Sequence, residues 1–150
     1  MARVTLYLSD LVLGQAFECG AFSLTAHEIK AFAERFDPQP WHLDEELAKD
    51  TYFQGLCASG VHSQAAAISL VVRTVANVAV VAGGALQEAR FFVPVRPDQR
   101  YTVSASWKAA RASARNPSRG VAELTFIARD AAGQPVMQGG ITYIISTGPA

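Results

Sequence analysis

Phe53-Gln54-Gly55-Leu56-Cys57-Ala58-Ser59-Gly60 runs directly into Val61 and a long apolar stretch, and this junction decides the fold. A glycine-marked turn ahead of Ala65-Ala66-Ala67-Ile68, Leu70-Val71-Val72 and Val75-Ala76 predicts the start of a helix. That helix is apolar on nearly every side, the pattern of a helix wrapped by a sheet. The run from Val61 to Val81 has the length to span a bilayer, but His62, Gln64, Arg73 and Asn77 interrupt it, so no membrane association is expected. The β-branched stretch Val78 to Val81 reads equally as the frayed helix end or as an extra strand. Gly83-Gly84 is expected to break whatever precedes it.

Downstream, the period changes to two. Tyr101, Val103, Ala105 and Trp107 alternate with Thr102, Ser104, Ser106 and Lys108, and Ala122, Leu124, Phe126 and Ala128 alternate with Glu123, Thr125 and Ile127. With Gln87 to Phe92, Val136 to Ser146 and an early strand around Phe17 to Ser23, this predicts about five antiparallel strands. Helices first and a meander after them make an α+β fold, one antiparallel sheet wrapped around one long central helix, in a single domain over residues 1–150.

Upstream, Thr25-Ala26-His27-Glu28 is a capping box, and Ile29, Phe32, Ala33 and Phe36 follow at helical spacing. Asp44-Glu45-Glu46 places negative charge at the start of a short helix reaching about Thr51. Between the two lies Asp37-Pro38-Gln39-Pro40-Trp41-His42, in which an acid and an imidazole stand five residues apart. Pro38 and Pro40 fix φ near −65° and push the preceding residues toward extended geometry, so the sequence predicts a rigid loop. A carboxylate and an imidazole around one small space can share a water, one taking its proton while the other delivers one. Equally, Asp37 could simply end the first helix and His42 cap the next.

The order of helix, Asp/His loop, glycine turn and buried helix, with Arg90-Phe91-Phe92-Val93-Pro94-Val95-Arg96-Pro97-Asp98 further on, resembles the MaoC-like dehydratase family over nearly the whole chain. The resemblance implies a hot dog fold and the activity of an R-specific enoyl-CoA hydratase, adding water reversibly to a trans-2-enoyl-CoA to give an (R)-3-hydroxyacyl-CoA. Family members carry an Asp, then an Asn-Pro and a His, at the spacing of Asp37, Pro40 and His42; Gln39 stands where Asn is usual. Asp37 and His42 would hold the water. His42 would take its proton and Asp37 supply one to the α-carbon, or the reverse.

Gly60 opens the buried helix, where the first N–H groups point outward with the positive end of the dipole, and there a thioester carbonyl gaining enolate character would find donors in place. Ser59 and Gln39 join Gly60 as substrate-binding candidates, although Gly60 could also serve only a tight turn. For the CoA phosphates Arg90, Arg96 and Arg115 are the leading candidates, with Arg111 and Arg119 behind them; each taken singly reads as a solvated strand edge, with one or two expected to reach the ligand. His62 could line the pocket or be a hydrogen-bonded core residue, and His27 is expected to be exposed. His27, His42, His62, Cys19 and Cys57 show no paired metal-ligand spacing, and the sequence around Ser59 lacks the nucleophile-elbow pattern. No cofactor is expected; the coenzyme A thioester is substrate.

Thirteen basic and thirteen acidic side chains cancel, which removes any overall field for nucleic acid or an anionic membrane. Half the residues are apolar or aromatic and 17% are charged, rich for a lone small domain, so a homodimer is expected. Two cysteines and no basic-then-apolar leader point to a reducing cytoplasm. The rival readings are a hot dog thioesterase, which would need a carboxylate near the central helix where Val61 to Gly84 has none, and a non-catalytic acyl-CoA or lipid binder.

Overall fold

The alternation over residues 101–146 becomes a meander of three long antiparallel strands in the computed structural model, which describes residues 4–149. These are β3 (Tyr101–Ala112), β4 (Arg119–Arg129) and β5 (Pro135–Ser146). Every second residue is buried: Tyr101, Val103, Ala105 and Trp107 from β3 meet Ala122, Leu124, Phe126 and Ala128 from β4 and Ile141, Tyr143 and Ile145 from β5. Each large side chain so buried contributes about 1.5–3 kcal/mol. Two further strands, β1 (Ala16–Phe22) on β3 and β2 (Val80–Phe91) on β5, complete an antiparallel sheet in the order β1-β3-β4-β5-β2.

Four helices lie between β1 and β2: α1 (Ala26–Phe36), α2 (Pro40–Leu43), α3 (Glu45–Lys49) and α4 (Gly60–Thr74). The capping box forms as expected, with Thr25 Oγ1 accepting from the Glu28 N–H at 3.2 Å and Glu28 accepting from the Thr25 N–H at 2.7 Å. The central helix α4 packs on β1, β3 and β4 and turns Ser63, Ala67 and Val71 inward, one residue per turn. Ala67 lets the helix approach the sheet closely. Within one chain the wrapping is one-sided, because Val61 is 60% exposed and Val72 is 48% exposed. The all-round apolar pattern of α4 therefore exceeds what a single copy covers.

One expectation needs correcting. Gly83-Gly84 does not break the chain; both residues lie inside β2, which starts at Val80 and so resolves the Val78–Val81 ambiguity in favour of a strand. The glycines fit there because β2 is an edge strand whose register shifts three times, between Val80 and Ala82, Gly83 and Ala85, and Gln87 and Arg90. The early strand expected around Phe17 to Ser23 is β1, which precedes the helices and pairs with β3.

Candidate active site

The proline-rich stretch is more ordered than a loop. Asp37 caps the end of α1, its N–H bonding the Ala33 carbonyl at 3.0 Å, so the helix-ending role is real. Pro40 then occupies the first position of α2, where a missing N–H costs nothing and a fixed φ suits the helix. The resulting single turn, read from sequence as a loop, carries His42 into the interior, where it is 5% exposed. Asp44 caps α3 through the N–H groups of Glu46 and Leu47 at 2.8 and 3.0 Å.

Both ring nitrogens of His42 have partners, and the partners fix the tautomer. Nδ1 lies 2.7 Å from the Cys57 carbonyl oxygen, which can only accept, so Nδ1 carries the hydrogen. The indole Nε1–H of Trp41 donates to Nε2 at 3.1 Å, so Nε2 presents its lone pair. The Asp37 Oδ2 atom lies 3.5 Å from that same Nε2. In this tautomer both are acceptors, and a group with hydrogens to give, such as water, is what can join them.

Asp37 is itself held from two sides. The Ser59 hydroxyl donates to Oδ2 at 2.7 Å and the Gln39 side-chain amide donates to Oδ1 at 2.8 Å. These donors, Ser59 first, keep the carboxyl below the ordinary carboxylate range despite partial burial. Ser59 also caps α4 by accepting from the Val61 N–H at 3.3 Å. Among the described residues the N–H groups of Gly60 and His62 have no protein partner, as expected for a first helical turn. The ring of Phe91, at the end of β2, lies over Gly60 so closely that an added Cβ would stand 2.8 Å from it.

A cavity of about 420 Å³ opens at this point, bounded by Asp37, His42, Ser59 and Gly60 on one side and by Trp41, Phe53, Phe91 and Phe92 on the other. Its lining contains no lysine or arginine. None of the three leading arginine candidates, Arg90, Arg96 or Arg115, lines this cavity. Arg96 is committed to the protein itself, donating to the carbonyls of Phe53, Gly55 and Leu56. Gly55, at φ +148°, supplies the backbone geometry this grip needs. Arg90 pairs with Glu88 on the surface at 3.3 Å, and Arg115 sits exposed in the β3–β4 hairpin.

His62 does not line the cavity. Its ring stacks on Phe32 with centroids 4.4 Å apart, its Nδ1 is buried without a partner, and burial lowers its pKa. His27 is exposed. Burial pushes the Cys57 thiol up to about 11, too high for a nucleophile at neutral pH, although its sulfur lies 3.8 Å from His42 Nδ1. Trp41 is the site residue whose role the sequence did not give; an indole beside the key histidine was the available signal.

The sequence model of the family described as MaoC like domain matches residues 12–127. The chain belongs to the MaoC-like family. A MaoC-like dehydratase structure from Rhodospirillum rubrum is 31% identical, with TM-score 0.86 over 97% of this chain and 99% of that one. An unliganded R-hydratase from Pseudomonas aeruginosa shares the fold at 22% identity, with TM-score 0.71 over 97% of this chain and 92% of that one. Both place the MaoC-like chain in the hot dog fold that its motifs imply. An uncharacterized protein of Bacillus subtilis (strain 168), YdeM, is 33% identical over 92 residues, 61% of this chain; the match spans 65% of that relative's length. Among the described residues no helix of this MaoC-like chain is long and apolar enough to cross a membrane, and no group of three or more His, Cys, Asp or Glu is placed to hold a metal ion.

Proposed function

We propose that this MaoC-like chain adds water reversibly to a trans-2-enoyl-CoA, giving an (R)-3-hydroxyacyl-CoA, and works in the cytoplasm as a homodimer. The observation that carries the reading is the 3.5 Å approach of His42 Nε2 to Asp37 Oδ2 at the mouth of an apolar cavity beside the start of α4. A water donating one hydrogen to each acceptor would be oriented with its oxygen toward the β-carbon of the enoyl group. As the C–O bond forms, His42 takes a water proton, and the second hydrogen stays on the new hydroxyl, held by Asp37. The electron pair moves toward the thioester oxygen, where the free N–H of Gly60, which lines the cavity, receives the developing charge. The imidazolium then returns its proton to the α-carbon and the balance closes with no covalent enzyme intermediate and no resident cofactor.

The hydrogen bonds on Asp37 favour this assignment over one in which Asp37 starts as the acid, because they keep it ionised. The aromatic wall and the lack of a cation in the cavity suit an acyl chain with no charged end. Phosphate contacts would then fall outside the cavity or come from a second copy. The dimer reading rests on β2, a twelve-residue edge strand with Val80, Val81, Leu86 and Phe91 exposed, and on the uncovered face of α4. α4 itself contains no Asp or Glu, so a thioesterase would have to draw its carboxylate from Asp37, beside the start of that helix. The test is loss of enoyl absorbance over a panel of trans-2-enoyl-CoAs, with free thiol followed in parallel. Thiol release without loss of the conjugated double bond would replace hydration with hydrolysis; binding with neither change would mean an acyl-CoA binder.

A further inference from the structure

The lone pair assigned to the catalytic water is already in use. Nδ1 of His42 carries its hydrogen toward Cys57, so Nε2 has one in-plane lone pair, and the Trp41 indole, which can only donate, holds it at 3.1 Å. One in-plane lone pair makes one good hydrogen bond at a time. Water and indole therefore compete for a single acceptor. The indole is held lightly otherwise: it is part-exposed, tilts against Phe53 with centroids 5.4 Å apart, and meets the imidazole edge-on at 5.9 Å. Its backbone is fixed, because the Trp41 carbonyl accepts from the Cys57 N–H at 3.2 Å, so a change would be confined to the side chain. Trp41 also bounds the cavity, together with Phe53 and Phe92, so a ligand filling that space meets the indole.

We propose that Trp41 is a positioning residue that masks Nε2 of His42 in the empty site and releases it to water when an acyl-CoA enters the cavity. For the use made of the freed lone pair this rests on the hydration reading; the masking bond itself does not. The exchange makes and breaks only hydrogen bonds: N–H···N is lost and O–H···N replaces it. If the masked form must open before productive binding, the masking appears in KM and leaves kcat nearly unchanged. Removing the N–H should lower KM by about two- to tenfold, the range to which a net hydrogen bond of ordinary strength converts.

Three proteins test it: wild type, Trp41→Phe, and a protein carrying benzothienylalanine at position 41, which keeps the bicyclic shape and puts sulfur where the N–H was. Nitrogen-15 spectra of the ligand-free proteins should show the His42 Nε2 resonance moving toward that of an unbonded lone pair in both variants, with Nδ1 unchanged. Saturating wild type with butanoyl-CoA, which has no double bond to hydrate, should move the same resonance as the indole leaves. An Nε2 resonance that is the same in wild type and the benzothienyl protein, or that ignores butanoyl-CoA, overturns the proposal. With trans-2-butenoyl-CoA the benzothienyl protein should show the lower KM and unchanged kcat; a raised KM or a collapsed kcat would make the indole an assistant and not a mask. Should wild type leave trans-2-enoyl-CoAs unhydrated, the hydration reading falls, while the spectra still decide the masking bond.

Discussion

From Tyr101 to Ser146 the chain is three long strands whose neighbours in space are neighbours in sequence, whereas from Asp37 to Gly60 it is two short helices and a turn tied to points far along the chain. The first region is held by apolar burial, which is non-directional and spread over many side chains. The second is held by single directional bonds: His42 to the Cys57 carbonyl, Ser59 to Asp37, the Ala58 N–H to the Val95 carbonyl at 2.8 Å, and Arg96 to three carbonyls. A fold can lose a little burial in many places and survive. A site assembled from single bonds loses geometry when one goes. The difference teaches that stability and chemistry should separate by region when residues are replaced.

The sharpest break in the comparison is expected at the pair itself. His42→Ala or Asp37→Ala should reduce enoyl hydration by about 10²–10⁴-fold while thermal unfolding stays close to that of wild type, measured by absorbance assay and calorimetry on the same samples. Leu124→Ala, in the middle of the meander, should do the opposite. About 2–5 kcal/mol of stability should be lost in denaturant titration, with activity per folded molecule preserved. A large activity defect in the folded fraction would show that the two regions are not separable.

Arg96→Ala tests the seam between the regions. It leaves three carbonyls without their donor and should cost about 1.5–3 kcal/mol, with hydrogen exchange rising in residues 53–58 before it rises in the meander. Uniform exchange across both regions would mean Arg96 supports the whole fold and not only the turn. The smallest effect belongs to Ser59→Ala, at about 0.5–2 kcal/mol for the lost helix cap. Its pH signature is more telling. In the wild type Asp37 is depressed, chiefly by the Ser59 hydroxyl, so the ionised form persists to lower pH and its contribution disappears only as pH falls through that lowered value. Without the hydroxyl the carboxyl rises toward its ordinary range, and carbon-13 spectra of the Asp37 carboxyl should show it gaining its proton at a higher pH than in wild type. An unmoved carboxyl titration would mean that Ser59 does not hold Asp37 in its ionised form.

The same division explains what could be read from sequence. Period-two alternation from Tyr101 to Trp107 and from Ala122 to Ala128, and the Thr25–Glu28 box, are local patterns, and each maps onto the structure almost residue for residue. Gly83-Gly84 misleads because a bulged edge strand tolerates what a central strand would not, and edge status is a property of the assembled sheet. Asp37 and His42 stand out through type and spacing. The charge of Arg96 is visible in the sequence, whereas the three carbonyls that engage it emerge only from the fold. His42's fixed tautomer likewise depends on a backbone oxygen fifteen residues away, which no side-chain identity at position 57 announces.

Ser59 joins two events usually treated apart. Its one oxygen starts α4 by accepting from Val61 and aims Asp37 by donating to it. When the first turn of α4 frays, the carboxylate swings loose in the same motion. Inactivation on gentle warming should therefore track the opening of that one turn, well before the sheet melts.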